Sequence, residues 1–199
     1  QLGTDPKEQS KILSLFQKTS RPADIQDDAL ADKKYMELRA DQFQLISKWH
    51  HFAILSLVET KGFQANPLWV AKRLGIKLLE AEQGLERLER LGFIRWSRSQ
   101  KKIKLMSNQL TTSDDVANPA IRQSHFEDLH LSTWALDQVA VEDRDFSSLT
   151  IAIDKSKLPA AKKMIREFQD RLCAFLETGT QDEVYKLNFH VLPLTREVL

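Results

Sequence analysis

NPLWVAKRLGI (residues 66–76), KLLEAEQGLERLERLGFI (77–94) and RWSRSQKKIKLM (95–106) decide the fold of this 199-residue chain. Pro67 suits the first turn of a helix, where its missing N–H costs nothing, and Asn66 before it can cap. Leu68, Val70, Ala71 and Leu74 give a short helix its apolar side, and Gly75 supplies the left-handed residue that ends it. Apolar residues then recur at Leu78, Ala81, Leu85, Leu88 and Leu91, a 3.6-residue period closed by Gly92. Phe93, Ile94 and Trp96 alternate with Arg95 as one strand. Ile103 and Leu105 alternate with Lys102 and Lys104 as its return, and residues 97–101 form the tip between them. Short helix, Gly turn, longer helix and basic ribbon is the order of a winged helix-turn-helix.

The second helix carries Gln83, Arg87 and Arg90 on one stripe opposite Leu85 and Leu88, with Glu82, Glu86 and Glu89 on a separate flank. Arg and Gln are residue types that read guanine and adenine edges in the major groove. Lys77 at the helix start and Arg95, Arg98, Lys101, Lys102 and Lys104 in the ribbon have the chemistry that neutralises phosphates. Residues 61–106 hold eleven basic residues against four acids, a net of +7, whereas the whole chain is only +1. Such asymmetry points the basic part toward a nucleic-acid or membrane partner. Double-stranded DNA is therefore the expected partner, and the function is that of a DNA-binding transcriptional regulator. The acidic flank motivates the alternative, a protein-interaction scaffold that keeps the winged helix without touching DNA.

Outward from this unit, Phe43, Ile46, His50, Ala53, Ile54, Leu57 and Val58 share a helical face across residues 41–59, with Asp41 as cap. This is the first helix of a winged-helix domain spanning 41–106. Residues 1–40 are polar and weakly patterned. Ile12, Leu15 and Phe16 suit one short helix there, and residues 19–28 suit a loop. Residues 107–118, which contain TTSDD, suit a linker.

A second unit covers 119–199. Ile121, His125, Leu129, Thr133, Leu136 and Val139 predict a helix, and Leu149, Ile151 and Ile153 a strand. Leu158, Ala161, Ile165, Phe168, Leu172 and Phe175 predict a helix after which Gly179 turns the chain. Tyr185, Leu187, Phe189 and Val191 predict a last strand. Helix, strand, helix, strand is an α+β module that serves dimerisation or sensing, and the whole chain is α+β and mostly helical. Two strands make a poor sheet alone. The module therefore needs a third strand or a second copy, so a homodimer is expected.

Pieces of both units resemble a known family. ISKWHHFAILSLV (46–58), LWVAKRLGI (68–76), LERLERLGFI (85–94), RDFSSLTIAI (144–153) and DEVYKLNFHVLPLT (182–195) are similar to a family of bacterial conserved-hypothetical regulators. In these a winged-helix segment precedes a domain of unknown function. The resemblance covers about residues 40–196 and implies a transcription-related role. It supplies no ligand, reaction or operator.

Enzyme chemistry is not expected. P-loop, GxGxxG and GxSxG patterns are absent from the chain. His50 and His51 are adjacent and turn to different sides of a helix, and His125 and His130 are five apart. Neither pair has metal-ligand spacing, so no metal and no cofactor is expected. Arg144 between Asp143 and Asp145 reads as a loop ion pair, with an anion or small-ligand contact as the alternative. Trp49, Trp69, Trp96 and Trp134 lie in or beside apolar periods and read as core, as does Cys173, the single cysteine. No apolar run has the length of a membrane span and no signal peptide opens the chain at Gln1, so a cytoplasmic protein is expected.

Overall fold

In the computed structural model, residues 40–106 and 119–196 are described. The short helix expected around Ile12, the loop at 19–28 and the linker at 107–118 lie outside them.

The helix expected over 41–59 is interrupted. Residues 40–47 are helical, Lys48 is extended (φ −106°, ψ 115°), and α1 runs from Trp49 to Val58. Asp41 is therefore no cap. It sits within the first helical segment and turns its carboxylate elsewhere. The new N-terminus at Trp49 is satisfied from outside: Glu127, on a later helix, accepts the Trp49 N–H at 3.5 Å and pairs with the Lys48 ammonium.

The next two helices follow the sequence closely. α2 spans Pro67–Leu74, with the Asn66 side chain accepting from the Leu68 N–H at 2.8 Å and Gly75 closing it at φ 64°. α3 spans Leu78–Arg90, where the Glu80 carboxylate accepts the Lys77 N–H at 2.8 Å. β1 (Ile94–Ser97) and β2 (Lys102–Leu105) pair antiparallel, with Ile94 opposite Leu105 and Trp96 opposite Ile103. These facing pairs lie over the helices. Ile54, Leu57, Val70, Ala71, Ala81, Leu85, Leu88 and Ile94 form the core they cover.

Gly84 sits where α3 crosses α1. A Cβ built there would lie 2.8 Å from the Ile54 Cδ1 and 3.6 Å from His50 Cδ2. The absence of a side chain lets the two helices approach this closely.

The C-terminal half departs from expectation. α4 (Pro119–Gln138) and α5 (Leu158–Leu176) form as helices. The strands expected at 149–153 and 185–191 do not form: the sheet of the described residues has two strands, β1 and β2. Strand propensity is realised only where a neighbouring backbone supplies partners, and here none does. The architecture is mostly helical with one small sheet, consistent with an α+β class.

Burial differs in the same way. α4 buries only Ala120 and Asp128, and α5 buries nothing. Trp134 is 58% exposed and Cys173 is exposed, so neither belongs to a core as the periodicity suggested. Periodicity identifies the apolar side of a helix but not whether anything lies against it.

Residues 181–189 run as a strap between the two halves. The Gln181 carbonyl accepts the Lys61 N–H at 2.8 Å, and Arg73 reaches the Asp182 carbonyl (3.1 Å) and Glu183 (3.0 Å). Val184 packs on the helical core. Lys186 lies 2.8 Å from Asp128 of α4, Asn188 donates to Ser132 at 3.1 Å, and Phe189 meets Phe168 edge-on at 5.9 Å.

Candidate nucleic-acid interface

The basic ribbon and α3 carry the residues that composition pointed to, and the fold sorts them into two groups. In the ribbon, alternation sends Trp96 and Ile103 inward and their neighbours outward. Arg95 faces Lys104 across the ladder, and Ser97 faces Lys102. Arg95, Lys101, Lys102 and Lys104 are all exposed, and none of them is in an ion pair among the described residues. Lys101, at the tip, holds the left-handed φ of 50° that tightens the turn.

Arg98 is exposed but engaged. Its guanidinium bonds Glu89 at 3.0 Å and lies 4.3 Å from the centroid of the Trp96 ring. The other Glu89 oxygen accepts the Trp96 N–H at 3.2 Å. One carboxylate thus fastens the start of the ribbon to the end of α3. Glu89 consequently does not share a free face with Glu82 and Glu86, as the helical wheel suggested.

The stripe on α3 is divided. Gln83 is exposed. Arg87, only 17% exposed in its side chain, donates to Asp41 Oδ1 at 2.9 Å and to His51 Nε2 at 3.0 Å. Arg90 grips the same carboxylate with two bonds of 2.9 Å. Sequence spacing put the three side chains on one stripe, but the carboxylate of Asp41, 46 residues before Arg87, draws two of them toward the first helical segment. Nothing in the local pattern of α3 signals that acid. The solvent face at the start of α3 is left with Leu78 (43% exposed), Leu79 (60%), Glu82, Gln83 and Glu86. Lys77, just before it, is exposed.

Beneath the stripe lies a buried polar cluster. His51 is fully buried; its Nδ1 lies 3.2 Å from the Lys48 carbonyl and its Nε2 faces Arg87. The ring therefore donates through Nδ1 and accepts at Nε2, which requires the neutral form. Burial, the neighbouring His50 and the Arg87 charge push its pKa down to about 3. Burial also lowers His50, against the opposing pull of Glu80 and Glu127. For Asp41 burial acts upward, but the bonds from Arg90 and Arg87 outweigh it and hold the carboxyl below its ordinary value.

The remaining sequence candidates have structural surroundings. Arg144 donates to the carbonyls of Ala135 (3.2 Å) and Leu136 (2.6 Å), closing the last turn of α4. A cleft of about 200 Å³ between the 40–58 region and α4 is lined by Ile46, Phe52, Ile121, Asp128 and Lys186 among others, and its acid and base are already opposed. Among the described residues no group of three or more His, Cys, Asp or Glu side chains is placed to hold a metal, and no helix is long and apolar enough to cross a membrane.

Comparison with curated proteins and with solved structures returns no match. The profile of the domain of unknown function DUF4423 matches residues 31–194, well over half of the sequence, and the chain belongs to that family.

Proposed function

We propose that this chain is a DNA-binding regulator whose winged helix holds duplex DNA chiefly through its wing. The observation that carries the reading is the outward face of the ribbon. Arg95, Lys101, Lys102 and Lys104 stand exposed within ten residues and outside any ion pair of the described residues. Cations so placed neutralise backbone phosphates and release counterions, giving affinity and orientation without sequence information. Base reading falls to Gln83, with the exposed Lys77 at the start of the same helix as a further phosphate contact. Arg87 and Arg90 are given a structural role, because their donors are committed to Asp41 and His51. The reading thus favours limited sequence discrimination.

Fluorescence anisotropy with a labelled duplex across a salt series tests it. The affinity should fall steeply with salt, and replacing Lys101, Lys102 and Lys104 by Ala should flatten the log–log slope by about 3. No duplex binding at low salt, or an unaltered slope in the triple variant, defeats the proposal.

A second reading rests on the α3 surface. Leu78 and Leu79 stand exposed beside Glu82 and Glu86, a mixture that repels phosphates and suits a protein groove. The Leu79→Lys variant separates the two: it should leave duplex affinity intact or improved, and should abolish any protein partnership made through this face.

A further inference from the structure

We propose that residues 147–153 and 185–191 are strands completed by a second copy of this chain, forming an intermolecular sheet that buries the outer face of α5. This goes beyond the DNA reading and does not depend on it.

Both segments have the composition and period of strands. SSLTIAI (147–153) alternates Leu149, Ile151 and Ile153, and YKLNFHV (185–191) alternates Tyr185, Leu187, Phe189 and Val191. Yet among the described residues neither segment makes a main-chain hydrogen bond. The apolar side chains of the first segment stand in solvent, Leu149 being 82% exposed, whereas the second segment touches α4 and α5 through Lys186, Asn188 and Phe189. Fifteen large apolar side chains between residues 141 and 194 are exposed. An unpaired strand in a monomer is normally guarded by charge. The first segment has no charged residue, and the second has only Lys186, held by Asp128 at 2.8 Å.

The size of the surface selects the occupant. At such exposures each large apolar side chain offers roughly 100 Å². Fifteen of them therefore exceed the roughly 800 Å² per partner of a stable interface. Residues 1–40 hold apolar residues of their own, but no alternating run like SSLTIAI or YKLNFHV that could supply strands. A second copy supplies two strands and an equal apolar face. Four strands, two from each chain, meet the minimum that two cannot, and a two-fold axis makes the contact self-complementary.

The test uses the full chain. Light scattering after gel filtration at about 10 µM should give twice the monomer mass, and Ile151→Glu should give a monomer. Ile151 is 63% exposed in the single chain, so Ile151→Glu should retain its helical circular dichroism. In a Cys173→Ser background, a tagged Ile151→Cys chain mixed with an untagged Leu187→Cys chain should oxidise to a mixed disulfide dimer. A monomeric wild type overturns the proposal. So does a dimer that persists undiminished in Ile151→Glu, or an absence of mixed crosslinks in a dimeric sample. A monomer that becomes dimeric only when residues 1–40 are deleted would assign the face to that segment instead, and also refutes it.

Discussion

Lowering the pH from 7.5 to 5.0 should cost the folded chain about 2 kcal/mol through His51 alone. In the unfolded chain this imidazole takes a proton near its ordinary value of 6.5, whereas in the folded chain it resists protonation until about 3. Between those values the unfolded state binds more protons. The stabilisation is thus complete above about 6.5 and is lost progressively as pH falls toward 3. At about 1.4 kcal/mol per unit, a pH 1.5 units below the unfolded value gives about 2 kcal/mol. Because pH 5.0 is still well above the folded pKa, the unfolded value sets the result. His50, also lowered by burial, adds in the same direction. Asp41, held below the ordinary carboxylate value, stays ionised across this window and adds little. Urea unfolding followed by tryptophan fluorescence at the two pH values measures the loss. His51→Gln retains an acceptor for Arg87 and cannot titrate, so its loss should be smaller than that of the wild type by about 2 kcal/mol. If His51→Gln loses as much stability on acidification as the wild type, the assignment of a neutral, Arg87-bonded imidazole is wrong.

Further consequences follow from close contacts. Gly84→Ala gains about 1 kcal/mol of helix propensity but drives a methyl against the fully buried Ile54, an overpacking cost of about 1–3 kcal/mol. It should lower the melting temperature by a few degrees; a rise would mean that α1 and α3 are less closely packed than described. Glu89→Ala removes both the Trp96 N–H acceptor and the Arg98 partner. It should speed amide exchange at Trp96, while Glu89→Gln, which keeps an acceptor, should not. Arg144→Ala strips two donors from the end of α4 and should cost about 1 kcal/mol, read as fraying near Leu136 by hydrogen exchange. Unaltered exchange there would deny Arg144 its capping role.

The sequence alone determined the helices and the ribbon between residues 66 and 106, because their signals are local. Asn66 caps, Gly75 turns left-handed, and the alternation around Arg95 and Lys104 needs only its neighbours in the chain. Local rules likewise placed α4 and α5, and they set the basic charge on the outside of the ribbon. What the sequence could not fix was every property that needs a partner distant in the chain. Asp41 lies 46 residues from Arg87, and Glu127 lies 78 from the backbone it caps. No periodicity within α3 announces that two of its arginines are claimed. Gly84 stands inside an otherwise regular helix, and only the tertiary structure shows that a close helix crossing lies there. The strands at 149–153 and 185–191 show the converse: side-chain alternation writes a strand's faces into the sequence, but its hydrogen bonds belong to whichever backbone comes alongside. Only tertiary structure decides that, because a ladder's donors and acceptors are shared between segments, whereas a helix satisfies its own.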